Sequence, residues 1–250
     1  MKDIKFLEDK IIAHRGYHNI KENIPENSLL AFKKAIRYKY IIELDVHILK
    51  DNTLVVFHDD NLKRVCGVDK NIDECTFDEI KDLKLFNTTC KIPLFEEVLK
   101  EVDGKVPLLI ETKMLKYNSK LEKELSKILD NYKGLFAIQS FNPFSINWFK
   151  NNKKDYIIGL LSSNFKKWNL SYAKKIIGRT LLIDLFLKVD FIAFDLKAMP
   201  NKYVDKKKNK KLVLGWTIRN KEDYEKAKKY FDNIICENMK DYTLEKINQV

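Results

Sequence analysis

The fold is decided by one stretch, residues 40–58, which reads YIIELDVHILKDNTLVVFH. Its first residues are almost continuously apolar, which is typical of a parallel strand buried on both faces. A second strand-like run follows after Asp51-Asn52, which leaves room only for a tight turn. Because parallel neighbours need a crossover of a dozen or more residues, the two runs are predicted to form a β-hairpin. The hairpin returns His58 toward the carboxyl end of the first strand.

Similar apolar runs recur along the chain, with helical patterns between most of them. This alternation predicts parallel strands with right-handed crossovers. Eight strands in a chain of this length predict an α/β fold, a (β/α)8 TIM barrel with the hairpin and a small insertion after strand 2. An open doubly wound sheet is the alternative, but a glycine-rich dinucleotide fingerprint is missing. The predicted strands are 11–13, 40–46, 106–110, 135–139, 156–161, 190–194, 211–216 and 233–236, and the clearest helices are 28–37, 95–102, 120–129, 143–150 and 221–230.

The composition is that of a globular protein. The chain has 250 residues, of which 45% are hydrophobic and 33% charged, and this excludes a disordered chain. We expect a single domain over residues 1–250, with residues 64–94 as a small polar insertion within it. The four cysteines form no C-x-x-C motif, so we expect reduced core thiols.

The charge balance favours an anionic partner. Lys and Arg number 47 against 36 Asp and Glu, a formal net charge of +11. Such an excess suits nucleic acid, a membrane surface or a phosphate-bearing substrate, and does not choose among them. The first residues lack the apolar segment of a signal peptide, and no stretch is long enough to span a bilayer. From these absences we expect an intracellular, cytoplasmic protein.

Three acidic residues stand at the carboxyl ends of predicted strands, where barrel enzymes carry their catalytic groups. Glu43 and Asp45 are two residues apart on one strand and therefore share a face. Glu111 ends the next strand and joins them. Buried carboxylates need neutralisation, and three oxygen donors suit Mg²⁺, Mn²⁺ or Ca²⁺. Salt bridges to Arg15 or Lys113 are the alternative.

Two histidines are predicted to reach the same rim. His14 ends the first strand and His58 returns on the hairpin, so the pair could act as general base and general acid across a phosphodiester. Arg15 offers a planar fork for phosphate oxygens, and Lys113 adds a point charge. We expect Gly16 to let the backbone approach a ligand closely.

The remaining polar candidates are less specific. Asn27 is predicted to be a helix cap or, alternatively, a ligand of the metal or phosphate, the cap being the commoner role. For His18 and His47 we expect no direct catalytic role.

These residues fall into short motifs whose order and spacing are more specific than any one of them. The motifs are His14-Arg15-Gly16, Glu26-Asn27-Ser28, Glu43-Leu44-Asp45-Val46, Lys50-Asp51, His58-Asp59-Asp60-x-Leu62-x-Arg64 and Glu111-x-Lys113. Together they resemble the glycerophosphodiester phosphodiesterase family, which has a phospholipase-C-like (β/α)8 barrel. The resemblance extends over residues 10–240, through Gln139-Ser140-Phe141 and Gly215-Trp216-Thr217.

The resemblance implies a role for each matching position. Glu43, Asp45 and Glu111 correspond to ligands of one divalent cation, Mg²⁺ or Ca²⁺, with Mn²⁺ possible. His14 and His58 correspond to the acid–base pair. The substrate-binding positions are Arg15 and Lys113 for the phosphate, with Phe141 and Trp216 as walls of the alcohol or glycerol subsite. For Trp216, simple barrel core is the alternative.

The implied activity is metal-dependent hydrolysis of a small-molecule glycerophosphodiester to an alcohol and glycerol phosphate. One alternative is a lysophospholipase D-type phosphodiesterase that acts on a membrane lipid. A non-enzymatic alternative is a catalytically idle phosphate-ligand or membrane-surface binding protein. The sequence leaves open the headgroup, the preferred metal, which histidine is the acid, the first nucleophile and the oligomeric state.

Two basic stretches lie outside these motifs. Residues 202–211, KYVDKKKNKK, are interpreted as a solvated basic face or loop, with membrane-surface attraction as the alternative. Residues 164–188 interleave aromatic and aliphatic residues with lysines, which predicts a barrel helix with a lid-like loop or, alternatively, a peripheral membrane contact. We expect no nucleic-acid binding, because no recognised motif is present and the basic residues lack stacking aromatics near the predicted site.

Overall fold

The computed structural model describes residues 2–114, 117–166 and 171–237, and the chain divides into two compact units. The first unit comprises Ala13–Phe136, and the second comprises Met1–Ile12 with Ala137–Val250. Among the described residues, no helix combines the length and the apolar character that crossing a membrane requires.

The first unit follows the predicted alternation of strands and helices. Its elements, in chain order, are β1 (Ile12–Ala13), α1 (Leu29–Arg37), β2 (Ile41–Ile48), β3 (Leu54–Val56), α2 (Lys63–Cys66), α3 (Phe77–Ile80), α4 (Phe95–Val102), β4 (Leu108–Thr112) and α5 (Lys120–Leu129). β2 and β4 run parallel and are buried almost throughout. Their near-continuous apolar sequence therefore matches burial on both faces.

The predicted hairpin is present. β3 pairs antiparallel with β2, with Val46 opposite Val56 and Ile48 opposite Leu54. The turn places Asn52 in the left-handed region at φ 67°, a conformation that asparagine tolerates better than most residues. Beyond β3, the backbone N–H of Phe57 donates to the carbonyl of Asp45 at 2.9 Å. The hairpin therefore brings the chain at residue 57 back beside the end of β2.

The segment after the hairpin, predicted to be a polar insertion, has an apolar core of its own. That core joins hairpin residues to residues of the following short helices. Its fully or almost fully buried members are Leu49, Val55, Phe57, Leu62, Val65, Ile72, Cys75, Ile80, Leu85 and Ile92. The four cysteines of the chain are all free, and burial raises the pKa of the Cys66 thiol to about 11.

Truncating this small core should destabilise the protein. Ile72 is fully buried, and its N–H donates to the carbonyl of Asp60 at 2.9 Å. Ile72→Ala should lower the free energy of unfolding by about 2–5 kcal/mol, because it removes buried methyl groups and leaves a cavity. Urea unfolding measures this. The control Val68→Ala, at a position 37% exposed, should change it by less than about 0.5 kcal/mol. Equal effects of the two substitutions would contradict a packed core here.

The second unit is a series of parallel strands. Each of its strands from β5 to β9 pairs in parallel with the next. Its elements are β5 (Phe136–Ser140), α6 (Pro143–Asn152), β6 (Ile157–Ser162), α7 (Tyr172–Thr180), α8 (Asp184–Leu187), β7 (Phe191–Asp195), α9 (Lys202–Lys208), β8 (Leu212–Ile218), α10 (Lys221–Ala227) and β9 (Asn233–Cys236). The predicted strands are all present, and their ends differ from the prediction by at most two residues.

The basic stretch 202–211 is mostly helix rather than loop, and it keeps the predicted solvated basic face at Lys202, Lys206 and Lys210, which are exposed. Asn201 caps α9 by accepting a hydrogen bond from the N–H of Tyr203 at 2.9 Å. Within the stretch, Lys207 and Lys211 form ion pairs with the buried carboxylate of Asp184. These two lysines therefore neutralise a buried acid rather than forming a solvated face.

Candidate active site

The three predicted carboxylates come together at the ends of β2 and β4. Glu43 and Asp45 share one face of β2, and Glu111 lies opposite Asp45 on β4. All three residues are buried, and one oxygen atom from each lies within 4.8 Å of the others. The register of two neighbouring strands thus places three acids in one small volume.

Two cations neutralise this cluster. Lys113 Nζ lies 2.9 Å from Glu111 Oε1 and 3.7 Å from Asp45 Oδ1. Arg15 Nε lies 3.6 Å from Asp45 Oδ2, and the Arg15 backbone N–H donates to Glu43 Oε2 at 2.9 Å. The salt bridges predicted as an alternative to metal binding are therefore present beside the carboxylate cluster.

The carboxylates differ in their affinity for protons. Burial, with the neighbouring charges of Asp45 and Glu111, raises the pKa of Glu43 well above its usual range. Burial also raises the pKa of Glu111, helped by Asp45 and opposed by Lys113. Burial acts in the same direction on Asp45, but the charges of His58, Lys113 and Arg15 outweigh it and hold its pKa below the usual range. Asp45 therefore keeps its negative charge, while Glu43 is the acid that retains a proton most readily.

The donor set fits a divalent cation. All its atoms are carboxylate oxygens, which suit Mg²⁺, Ca²⁺ or Mn²⁺. Asp45 Oδ1 is buried and accepts no hydrogen bond among the described residues, although it keeps the longer ion-pair contact to Lys113. A buried, charged oxygen without a hydrogen bond is costly, and a bound cation would satisfy it.

Asn27 supports this cluster rather than capping a helix. Its Nδ2 donates to Asp45 Oδ2 at 2.8 Å. The residue that caps α1 is Ser28, whose Oγ accepts from the Ala31 N–H at 3.1 Å. The favoured cap interpretation of Asn27 is therefore wrong by one position. The adjacent serine takes the cap and leaves the amide free to turn inward.

Gly16 lies where a side chain would clash with α1. It has φ 77°, and a Cβ there would lie 2.8 Å from the ring of Phe32 and 3.0 Å from Ala31 Cβ. Both neighbours belong to α1. A side chain at this position would therefore push the loop after β1 away from the helix.

His58 is held by a carboxylate. Its Nδ1 lies 2.6 Å from Asp59 Oδ1, a distance at which a protonated Nδ1 donates to the carboxylate. Its Nε2 is then the ring atom left for another partner. The hydrogen bond to His58 and those from Arg64 hold the pKa of Asp59 below its usual range, against the opposing effect of burial.

A chain of charged residues continues from Asp59 to Arg15. Arg64 binds Asp59 with Nε at 2.6 Å and also donates two hydrogen bonds to Glu26, at 2.7 and 3.0 Å. Glu26 Oε1, which accepts one of these bonds, also accepts from Arg15 Nη1 at 2.7 Å. Glu26, Asp59 and Arg64 therefore tie His58 to Arg15. The sequence motifs contain these three residues, but no role could be assigned to them, because their pairing depends on contacts up to 38 positions apart.

The other histidines occupy different environments. His14 follows β1 directly before Arg15 and is half-buried. His47 is buried, and its Nε2 lies 3.3 Å from the backbone carbonyl of His58. Burial lowers the pKa of His47 to about 4, so it is neutral and can donate to that carbonyl. His47 therefore supports the backbone of the hairpin at His58, while His18 is half-buried on the loop after β1.

A cavity of about 720 Å³ opens beside these groups. Its lining includes His58, Asp59, Arg64 and Lys113, together with Asp60. The cavity mixes cationic and acidic side chains, and its volume suits a small polar ligand.

Phe141 and Trp216, predicted to line the alcohol or glycerol subsite, belong to the second unit. Their ring centroids are 5.5 Å apart at an interplanar angle of 89°, and Phe165 packs edge-on against Phe141 at 6.2 Å. Phe141 and Trp216 are both partly exposed. The three rings form an aromatic cluster, which we call the aromatic wall.

Sequence comparison identifies similar proteins. The chain matches the glycerophosphoryl diester phosphodiesterase family over residues 14–240. A relative from Caldanaerobacter subterraneus subsp. tengcongensis, named glycerophosphodiester phosphodiesterase, is 29% identical over 245 residues, covering 92% of this chain and 95% of that protein. A human protein named lysophospholipase D is 37% identical over 144 residues, covering 52% of this chain and 44% of that protein.

Solved structures resemble the whole described fold. A glycerophosphodiester phosphodiesterase from Parabacteroides distasonis has a TM-score of 0.75 at 25% identity, with 96% of each chain covered. A phosphodiesterase from Oleispira antarctica, solved with the product sn-glycerol-3-phosphate, has a TM-score of 0.78 at 20% identity, with 96% of this chain and 97% of that chain covered. These likenesses confirm the predicted fold class, an α/β TIM barrel with the extra strand β3 bonded to β2.

Proposed function

Because the chain belongs to the glycerophosphoryl diester phosphodiesterase family and is a phosphoric diester hydrolase, we propose a metal-dependent mechanism with two-histidine acid–base catalysis. The products are an alcohol and glycerol phosphate. The observation that carries the proposal is the convergence of Glu43, Asp45 and Glu111 beside Lys113 and Arg15. We further propose that residues 1–250 form one catalytic domain, with residues 64–94 as an insertion.

The cation and the phosphate are assigned to neighbouring groups. Glu43, Asp45 and Glu111 would hold one divalent cation, Mg²⁺, Ca²⁺ or Mn²⁺, which when bound would supply positive charge against the negative charge that builds up on the phosphate. Arg15 and Lys113 orient the diester. Each keeps further N–H donors beyond those used on the carboxylates, and a guanidinium presents five in a planar fork.

The two histidines move the protons. One takes a proton from the attacking hydroxyl, either water or the 2-hydroxyl of the glycerol moiety, as the new P–O bond forms. The other gives a proton to the departing alkoxide as the old P–O bond breaks. When the 2-hydroxyl attacks, this step leaves a 1,2-cyclic phosphate, and a water molecule then forms a new P–O bond as one ring P–O bond breaks, with the two histidines in reversed roles, to give glycerol phosphate. Asp59 occupies Nδ1 of His58, so Nε2 is the atom that exchanges the proton. Phe141 and Trp216 are assigned to the wall that contacts the carbon skeleton of the alcohol or glycerol.

The human relative supports a second candidate function, a lysophospholipase D activity, because that protein carries this name. The two functions share one bond cleavage and differ in whether the glycerol carries an acyl chain. Rates on glycerophosphocholine and lysophosphatidylcholine separate them. A faster rate on the lysolipid would replace the main proposal with the second.

The experiment that tests the proposal is a hydrolysis panel on glycerophosphodiesters with choline, ethanolamine and glycerol headgroups. Release of glycerol phosphate is measured with EDTA and after separate additions of Mg²⁺, Ca²⁺ and Mn²⁺. We expect chelation to stop turnover and at least one cation to restore it. Full turnover in EDTA would contradict the metal dependence, and no turnover with any cation would contradict the substrate class.

The charged chain behind His58 leads to a further prediction. Arg64→Gln should lower kcat/KM about tenfold, because it removes charge-assisted hydrogen bonds worth roughly 1.5–3 kcal/mol each before exposure to solvent weakens them. Arg64→Lys should restore only part of the loss, because an ammonium cannot bind both carboxylates through a planar fork.

Lys81→Gln provides the matched control for this prediction. Lys81 pairs with the exposed Asp78 and is not among the residues that line the cavity beside His58. Steady-state kinetics of the three variants is the measurement. Wild-type kcat/KM in Arg64→Gln would show that the chain from Asp59 to Glu26 does not support catalysis.

A further inference from the structure

The α7–α8 segment exposes an unusual number of large apolar side chains. Among the described residues, five of the twelve exposed large hydrophobic side chains lie between positions 172 and 186. Tyr172 is 80% exposed, Phe186 74% and Leu185 63%. With Ile177 and Leu182 they form what we call the α7–α8 patch. Exposed apolar residues are ordinary when scattered, but a concentration such as this one indicates a contact surface.

Buried side chains and polar contacts hold the segment that carries the α7–α8 patch. Leu181 and Leu187 are buried beneath it, and the carboxylate of Asp184 is buried and paired with two lysines. Lys150 of α6 donates to the carbonyl of Phe186. These contacts fix the backbone, so the apolar side chains point outward because the inner positions are already filled.

The exposed charges within the segment 171–188 are all positive. Lys174, Lys175, Arg179 and Lys188 lie in the same segment, and among the described residues no carboxylate pairs with any of them. Asp184 is the only acid between Ser171 and Lys188, and it is buried. The surface therefore presents apolar side chains together with unpaired cations.

We infer that the α7–α8 patch docks on an anionic membrane surface. Apolar side chains bordered by Lys and Arg are what a helix lying in a lipid interface presents, and each cation near an anionic leaflet adds to the attraction. A second copy of the chain fits less well, because a two-fold contact brings the same four cations against each other.

The patch adjoins the aromatic wall. Gly178 of α7 sits against the ring of Phe165, where a Cβ would lie 2.3 Å from the nearest ring atom, and Ser162 Oγ donates to the Gly178 carbonyl at 2.9 Å. Phe165 in turn packs on Phe141. Docking would therefore hold a proposed substrate-contacting residue close to the lipid surface. The inference goes beyond the proposed function, because hydrolysis of a dissolved diester does not require it.

Co-sedimentation with lipid vesicles tests the inference. Wild-type protein is mixed with phosphatidylcholine vesicles or with phosphatidylcholine–phosphatidylglycerol vesicles, at low and high salt. The apolar variant is Leu185→Ser/Phe186→Ser, and the charge variant is Lys174→Glu/Lys175→Glu. The matched controls are Leu135→Ser, at a position 58% exposed, and Lys100→Glu/Lys123→Glu on α4 and α5 of the first unit.

We expect the wild type to bind the anionic vesicles at least about tenfold more strongly than the neutral ones, and less strongly in high salt. Each patch variant should lose about tenfold or more in binding, and each control should bind like the wild type. Wild-type binding by both patch variants, or no vesicle binding by the wild type, would overturn the inference.

Two further measurements separate this inference from other outcomes. The first is sedimentation velocity without lipid. If the wild type formed a dimer and only Leu185→Ser/Phe186→Ser were monomeric, the patch would be an interface between two copies of the chain, and the membrane inference would be overturned. Hydrolysis of dissolved glycerophosphocholine should be unchanged in the patch variants. If the wild type did not hydrolyse glycerophosphocholine at all, that result would count against the proposed function but not against membrane docking, because vesicle binding is measured independently.

Discussion

Glu43→Gln should slow hydrolysis of glycerophosphodiesters by at least about a hundredfold and yet make the metal-free protein more stable at alkaline pH. The loss of activity follows from removing one charged ligand from the proposed cation site. The gain in stability follows because a neutral amide at this position is not repelled by Asp45 and Glu111. The amide oxygen still accepts from the Arg15 N–H, which donates to Glu43 at 2.9 Å.

The pH dependence has a definite sign. The pKa of Glu43 is raised in the folded protein, so the folded state binds this proton more tightly than the unfolded chain. The stability it contributes is present below the unfolded pKa and is lost as the pH rises through the folded pKa. The metal-free wild type should therefore lose stability over this interval, and Glu43→Gln should lack this loss. The difference in Tm between them should grow with pH.

Thermal unfolding in EDTA across a pH series measures this difference, and repeating it with added cation tests the ligand role. A cation that binds only the folded state raises the Tm of the wild type, and it should raise that of Glu43→Gln much less. Glu122→Gln is the matched control, because Glu122 is a fully buried glutamate on α5 and is not one of the three clustered carboxylates. A wild-type cation response in Glu43→Gln would contradict the assignment.

The carboxylate cluster was predictable because the positions of its residues follow from the periodicity of a strand and from the order of neighbouring strands. Glu43 and Asp45 share a face through the two-residue period of a strand, and Glu111 joins them because buried apolar runs identify the next parallel strand. The hairpin was predictable for a similar reason, since two residues cannot make a parallel crossover. The fold class and the grouping of the three acids could therefore be predicted from the sequence.

Other features depend on contacts between residues far apart in the sequence, which helix or strand periodicity does not indicate. Glu26 and Arg64 are 38 positions apart and meet only because the hairpin folds back. Asn27 and Ser28 are both good capping residues, and the choice between them depends on the position of Asp45 in three dimensions. Part of the stretch 164–188, predicted to be a barrel helix with a lid-like loop, lies outside the described residues, including Trp168.

The charges of the site nearly balance, which bears on the net charge of +11. The cluster of Glu43, Asp45 and Glu111 faces Lys113 and Arg15, and the chain behind it alternates acid and base. The site itself therefore adds little to the excess. Part of the basicity neutralises Asp184, and part surrounds the α7–α8 patch, where it is free to act on a distant anionic surface.

His58→Gln and His14→Gln should each reduce turnover about 10²–10⁴-fold while leaving the Tm and the cation response unchanged. Both variants remove a proton carrier and keep a polar side chain of similar size. His18→Gln tests whether the effect is specific: a ring nitrogen of His18 lies within 4.8 Å of one of His14, yet no catalytic role is predicted for it, so turnover should stay close to wild type. Turnover within about twofold of wild type in either His58→Gln or His14→Gln would contradict the acid–base assignment.

A substrate with an activated leaving group separates the acid from the base. When p-nitrophenol replaces the alcohol, the departing phenolate is stable without a proton, so loss of the general acid costs little while loss of the general base costs as much as before. The variant whose rate recovers toward wild type on glycerophospho-p-nitrophenol therefore lacks the acid. Asp59→Asn adds an internal check. Because Asp59 holds Nδ1 of His58, this variant should follow the same substrate pattern as His58→Gln with a smaller loss. If neither histidine variant recovered, protonation of the leaving group would have to come from another donor, and the two-histidine mechanism would be wrong.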